Sequence, residues 1–355
     1  MEAPITNRGG PRRASNITIM HAGDSYKLKE LLLWTRKTIY WLLLVGVLPT
    51  VLYQLLGFKW LAIPWTVVAL LGTATAFIVG FKNTQTYNRT WEARQIWGAI
   101  LNISRTWGTM SRDFLTDNPE KTKELVYRHF AWLTALRYQM RDNRVWENSK
   151  KSYNEEYQQF YSIPERETLL ETELAKYISA EELKYILSTK NRAAQLISLQ
   201  SKTLKTLFVN KEIDSYQFVE MESMIKDFFD QQGKSERIKN FPYPRQFASI
   251  NAFFIKLFCF LLPFGMLKEF DRLNENMEGI MKGNMVWLVI PFSMLLSWVY
   301  TSLERVGEST ENPFEGGPND VPISQMSRTI EIDMREMLGE TDLPPALMPR
   351  NNIIL

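Results

Sequence analysis

The chain has one cysteine, Cys259, and two histidines, His21 and His129, among 355 residues. A single thiol excludes an intrachain disulfide and any zinc site built on paired cysteines. Cys259 lies in an apolar run, where a thiol behaves as a small hydrophobe. The histidines stand in separate segments without the HExxH spacing, and no GxGxxG, phosphate loop or GxSxG occurs. Carboxylate pairs such as Glu181–Glu182 and Glu331–Asp333 fall in charged amphipathic stretches and read as solvated faces. An enzyme therefore has little to stand on, and neither a cofactor nor a metal is expected. The net charge of +3, with no dense basic run interleaved with aromatics, gives no ground for nucleic-acid binding. A mean hydropathy of −0.22 means that any membrane spans share the chain with a large polar part.

What is present is a set of long uncharged runs. Residues 38–57 and 61–81 form two spans joined by the short turn Phe58–Lys59–Trp60, with Trp60 and Trp65 at positions suited to interfacial aromatics. Pro49 is expected to kink the first. Residues 246–267 form a third span, interrupted by Lys256 and Pro263, and residues 285–303 a fourth, containing Pro291. Lys256 either snorkels, faces a water-filled path or meets a partner carboxylate. Lys27, Lys29, Arg36 and Lys37 precede the first span, and Lys82, Arg89, Arg94 and Arg105 follow the second. The positive-inside rule puts both groups on the cytoplasmic side, with residues 268–284 as an outer loop.

The second span carries two stripes. Gly72, Ala76 and Gly80 make a small face of the kind that lets helices approach closely in lipid. Thr73, Phe77 and Phe81 stack beside it over about 12 Å of helix. Such a helix suits a symmetric bundle, in which the small face packs on adjacent copies and the second stripe constricts the axis. Hydrophobic constrictions gate pores by dewetting. The same aromatics can equally be ordinary packing or lipid-facing residues.

Residues 1–37 read as a cytosolic arm and the start of a helix. Residues 82–245 read as a cytosolic helical domain: LVYRHFAWLTALRYQM, SAEELKYILSTKNRAAQLISLQSKTLKTLFV and DSYQFVEMESMIKDFF place apolar residues at helical spacing. No strand pattern stands out, and the polar stretch from Asn143 to Ile163 reads as an excursion. Asn118–Pro119 and Ala180–Glu181 sit at helix starts, and Gly233 reads as a stop. No breaker follows Phe81, so the helix of the second span is free to continue unbroken out of the membrane. In residues 304–355, ENPFEGGPNDVP reads as a tight loop, SQMSRTIEIDMREML as an amphipathic helix capped by Ser324 or Ser327, and the Leu-Pro-Pro segment as extended.

The order of spans, the segment FKNTQTYNRTWEARQIWG after the second of them, and ENPFEGGPNDVPI after the fourth together resemble the bestrophin family of ion channels, specifically its bacterial branch. The resemblance runs from about Tyr26 to about Leu338. Its most specific parts are Tyr87, Arg89, Trp91, Glu92, Arg94, Trp97 and Gly98, and the triplet Asn312–Pro313–Phe314. It implies a homo-pentamer with a neck of apolar residues four apart on the second span, here Thr73, Phe77 and Phe81. The chain departs from that pattern at Thr73, whose hydroxyl should ease wetting of the outer end. A second, cytosolic constriction is implied near Ile213 or Tyr216. Animal members hold calcium with acids directly after Asn-Pro-Phe; here Gly316, Gly317 and Pro318 replace most of them, short of the six to eight oxygens calcium takes. Conductance is therefore expected to be indifferent to calcium. Arg89 and Glu92, spaced three apart, are expected to pair on the helix or between subunits, or else, with Arg94, to attract permeant ions.

The expected fold is all-α: a polytopic membrane protein with four transmembrane helices and a large cytosolic helical domain, assembled as a ring. The expected function is passive conduction of chloride or other small ions in the inner membrane, with membrane lipid around it and both termini cytoplasmic. The alternative is a non-conducting membrane scaffold or regulatory subunit.

Overall fold

The computed structural model describes residues 28–351 and 353–355. The N-terminal arm expected before them lies outside the described residues. The helices are α1 (Leu28–Gln54), α2 (Trp65–Phe114), α3 (Pro119–Arg141), α4 (Ser152–Gln158), α5 (Pro164–Glu167), α6 (Leu170–Leu174), α7 (Ala180–Leu187), α8 (Arg192–Val209), α9 (Ser215–Asn240), α10 (Arg245–Arg272), α11 (Val289–Ser309) and α12 (Ile323–Met337). The described residues hold no strand beyond one isolated bridge between Arg350 and Ile353.

Four segments are long and apolar enough to cross a membrane: Leu31–Gln54, Lys59–Phe114, Arg245–Glu275 and Met285–Ser309. This is a multi-pass membrane protein. Large apolar side chains such as Leu44, Leu70, Phe253 and Leu295 are exposed on these helices, as a lipid solvent allows. The helices run past the uncharged runs at their polar ends. α1 continues through Pro49. Pro291 falls in the first turn of α11 and not in its interior, where its missing N–H would be unpaired in any case.

α2 organises both halves of the molecule. It has 50 residues, about 75 Å at the helical rise of roughly 1.5 Å per residue, far more than a hydrocarbon core of about 30 Å. No proline interrupts it between Trp65 and Phe114. Its outer half packs on α10 and α11, and α1 closes the group. Two close approaches fix α2 against α10: a Cβ on Gly72 would stand 2.7 Å from the Phe258 ring, and one on Gly265 would stand 2.7 Å from Val68. Its inner half is wrapped by α3, α9 and α12 around a core containing Trp97, Ile100, Trp107, Trp132 and Phe228. The helix ends where the Thr122 hydroxyl donates to the carbonyl of Ser111 (3.1 Å), pairing one of the last orphan acceptors.

Several local expectations meet the structure directly. Asn118 caps α3 by accepting from the Lys121 amide, with Pro119 at the first helical position. α7 starts at Ala180, capped by Ser179. Two expectations are corrected. α9 runs through Gly233 to Asn240, held by the buried Met221, Ile225, Phe228 and Ile238, whose packing outweighs a glycine penalty of about 1 kcal/mol. Ser324 and Ser327 are not caps: α12 starts at Ile323, Ser324 donates to buried Glu165 (2.6 Å) and Ser327 to the Ile323 carbonyl (2.8 Å).

Candidate functional site

The outer half of α2 has two unlike sides. Val68, Gly72, Thr75, Val79 and Lys82 are buried against the chain's own helices. Thr73, Ala76, Phe77, Gly80 and Phe81 are exposed, Phe77 at 78% and Phe81 at 51%. All three residues of the Thr73–Phe77–Phe81 stripe therefore point away from the protomer's own core. The Thr73 hydroxyl donates to the Ala69 carbonyl (3.0 Å), so its oxygen remains outward only as an acceptor.

The small stripe divides. Gly72 is spent inside the protomer, under the Phe258 ring and with its carbonyl accepting from Tyr300 Oη (3.1 Å). A Cβ on Gly80 would meet nothing within 4 Å, and Ala76 is exposed, so these two remain open to another chain. Lys256 is exposed and makes no ion pair within 4 Å among the described residues, although its charge still acts on Glu304 of the same chain.

The charge cluster beyond the span does not pair internally. Arg89 donates through Nε to the Glu311 carbonyl (2.8 Å) and through Nη2 to the carbonyls of Ile238 and Phe241. One guanidinium thus ties α2 to the end of α9 and to the loop after α11. Glu92 instead pairs with Arg237 on α9; both side chains are about half exposed, so the pair adds little stability. The expected i,i+3 pairing lost to partners more than a hundred residues away. Arg94 lines a cavity of about 370 Å³ together with Tyr87 and Trp91, whose rings stack at 6.4 Å.

Of the two residues expected near a cytosolic constriction, Ile213 is buried in the core outside the membrane spans, whereas Tyr216, in the first turn of α9, is 83% exposed.

In the loop after α11, Phe314 is buried with its ring 6.4 Å from Trp97 of α2. The acids there are already engaged. Glu315 accepts from the Asn148 amide (2.8 Å), and Asp320 accepts from the Gly316 amide (2.7 Å) with Arg141 Nη1 at 3.5 Å. Sequence reasoning missed Arg141, Glu165 and Lys239, which form buried ion pairs around this loop. Only the unusual charge density on the otherwise apolar faces of α3 and α9 could have hinted at them.

Four membrane-crossing helices, one of them continuing far beyond the bilayer with an exposed aromatic stripe, define a class of helical multi-pass membrane proteins. The sequence matches the family model for bacterial and fungal bestrophin proteins over residues 31–336, and the chain belongs to that family. It is similar to the voltage-dependent anion channel-forming protein YneE of Escherichia coli K12, 25% identical over 300 residues, covering 84% of this chain and 83% of that one. A second relative, the voltage-dependent anion channel-forming protein alr2987 of Nostoc, is 25% identical over 311 residues and covers 85% of each chain. The fold is similar to that of a bacterial bestrophin homolog from Klebsiella pneumoniae, with a TM-score of 0.71 at 21% identity, over 86% of this chain and 98% of that one.

Proposed function

We propose that the protein is the subunit of a homo-pentameric channel that passes small anions passively through a hydrophobic neck on its axis. The observation that carries this reading is the exposure of Thr73, Phe77 and Phe81 on a helix whose opposite side is fully packed. Around an axis, five copies of this stripe make a constriction that expels water and so bars ions until it wets. Ala76 and Gly80, open in the protomer, supply the close-packing face between neighbours. The names of the similar E. coli and Nostoc proteins support anions as the cargo. Phenyl edges, the positive part of the ring quadrupole, offer an anion a favourable contact in the neck. Tyr216 supplies the second, cytosolic narrowing. The channel lies in the inner membrane with both termini cytoplasmic, and the acids of the 312–320 loop leave conduction indifferent to micromolar calcium.

Ion flux from purified protein in liposomes tests conduction. Phe77→Ala and Phe81→Ala should each raise flux and weaken ion preference while the oligomer survives. Wild-type flux in both variants at equal oligomer content would remove the stripe from the pore. Orientation is read separately. After replacement of Cys259, Asn274→Cys should react with an impermeant thiol reagent from outside the cell and Asn154→Cys only from inside. Labelling of Asn154→Cys in intact cells would overturn the topology.

A further inference from the structure

Outside the membrane spans, residues of α3, α5, α6 and α12 enclose a cavity of about 160 Å³. Its floor is buried: Phe130, Leu133 and Thr134 of α3, with Ser324 and Ser327 of α12, are each at most 6% exposed. At about 30 Å³ per water the space holds about five waters, so it takes one small molecule and falls below the pockets that hold drug-sized ligands. Neither the exposed stripe of α2, the Arg89 anchor nor residues 312–320 contribute to its lining.

Two groups on α3 are held there without a partner. Thr134 is 3% exposed, lines the cavity, and its hydroxyl makes no hydrogen bond among the described residues. Arg137, one turn further on, spends Nη1 on Glu165 (2.6 Å), while its Nε is buried with no hydrogen-bond partner. The two serines of the floor differ: Ser324 is committed to Glu165 and Ser327 to the Ile323 carbonyl. A polar group kept from water and left unpaired costs stability, and a valine would fill the place of Thr134 without that cost.

The charges around the opening balance. Arg137, Lys176 of the turn after α6 and Arg328 of α12 line it together with Glu167 of α5, Glu173 of α6 and Glu331 of α12. Glu331 is already held by Arg335 (2.8 Å), which leaves Arg328 at 3.5 Å from it, too long for a full pair. Lys176 holds one oxygen of Glu173 (2.7 Å), and Glu167 accepts from the Ser162 hydroxyl alone (2.6 Å). Unspent donors therefore remain on Arg137, Arg328 and Thr134, and unspent acceptors on Glu167 and Glu173. A lone anion would meet three carboxylates here and a lone cation three bases. A molecule carrying both signs satisfies both sets.

We propose that this cavity binds a small zwitterion of the α-amino-acid class. Its carboxylate is taken by Arg137, Arg328 and the Thr134 hydroxyl, its ammonium by Glu167 and Glu173, and its short side chain lies against Phe130 and Leu133. Binding here does not depend on ion conduction, so the site stands or falls separately from the channel reading.

Isothermal titration of the whole purified protein with L-alanine, L-serine and L-threonine reads the site, with propionate and ethylamine as controls that carry one charge each. At least one of the amino acids should bind, roughly tenfold more tightly than either control. Thr134→Val keeps the shape of the floor and removes the unpaired hydroxyl. The empty variant should melt no lower than the wild type, while its affinity for the amino acid falls roughly tenfold. Arg328→Gln gives up a guanidinium whose one ion pair is the long contact to Glu331, so it should fold normally and weaken binding by a similar factor. Absence of binding by all three amino acids up to about 10 mM would overturn the site. Propionate or ethylamine binding as tightly as the amino acid would overturn the zwitterion. Unchanged affinity in both variants would do the same for the assigned contacts, and a lower melting temperature in Thr134→Val would show its hydroxyl already engaged in the empty protein.

Discussion

The two halves of α2 are one helix under two different regimes. In the half beyond the membrane span Trp97, Ile100 and Trp107 are 0% exposed, enclosed by helices of the same chain. In the membrane half Phe77 is 78% exposed although its neighbour Val79 is buried. The inner half is finished by its own sequence, whereas the outer half is finished on one side only. An aromatic left outside a protomer is not an error of patterning when the solvent is lipid or another copy of the chain. The contrast separates what the chain needs in order to fold from what it needs in order to work.

The strongest way to break the inner half is Trp97→Ala. It empties a fully buried site against Phe314 and should cost about 3–5 kcal/mol, read as loss of folded protein or a collapse in the melting temperature. The outer half is probed by a matched pair. Gly72→Leu forces bulk under Phe258 inside the protomer and should destabilise by at least about 1–3 kcal/mol whatever the oligomeric state. Ala76→Leu adds three carbons on the open side, against four at Gly72, so it should spare the isolated protomer and instead disrupt assembly, seen as a shift in size-exclusion mass. Identical behaviour of the two variants would erase the distinction between the faces.

A smaller effect comes from pH. His129, buried between Trp132 and Phe228 with its Nε2 2.8 Å from Ser104 Oγ, is pushed down to about 3 from 6.5 by burial. The unfolded chain takes up a proton below 6.5 that the folded chain refuses until about 3, so stability falls as pH drops through that window. The loss should approach about 1 kcal/mol per pH unit and be flatter in His129→Gln, as thermal melts at several pH values would show.

The spans and the unbroken α2 were legible because uncharged runs and the lack of proline are local properties of the chain. The stripe Thr73–Phe77–Phe81 was legible for the same reason: its spacing follows from helical geometry alone. What the sequence hid was always a partner far along the chain. Gly72 and Gly80 look alike in a row of small residues, and only Phe258, nearly two hundred positions away, makes one of them an inside contact. Arg89 and Glu92 obeyed a good local rule and still separated, because three carbonyls and Arg237 offered more. Ser324 resembled a cap until Glu165 claimed its hydroxyl. Ile213 and Tyr216 were indistinguishable until burial set them apart.

The continuity of α2 has a mechanical consequence. A helix with no hinge over 50 residues behaves as a stiff strut, so its two ends cannot turn independently. Twisting the helix about its own axis at Trp107 would swing Phe77 and Phe81 through the same angle. At a side-chain radius of roughly 5–6 Å, a rotation of about 20° would move those ring tips by about 2 Å. Tilting it about the Arg89 anchor would act as a lever, with one arm beyond the membrane span and the other at the exposed aromatic stripe. Whatever presses on the helices wrapped around its far end is therefore felt at the aromatic rings, without any signal passing through the lipid.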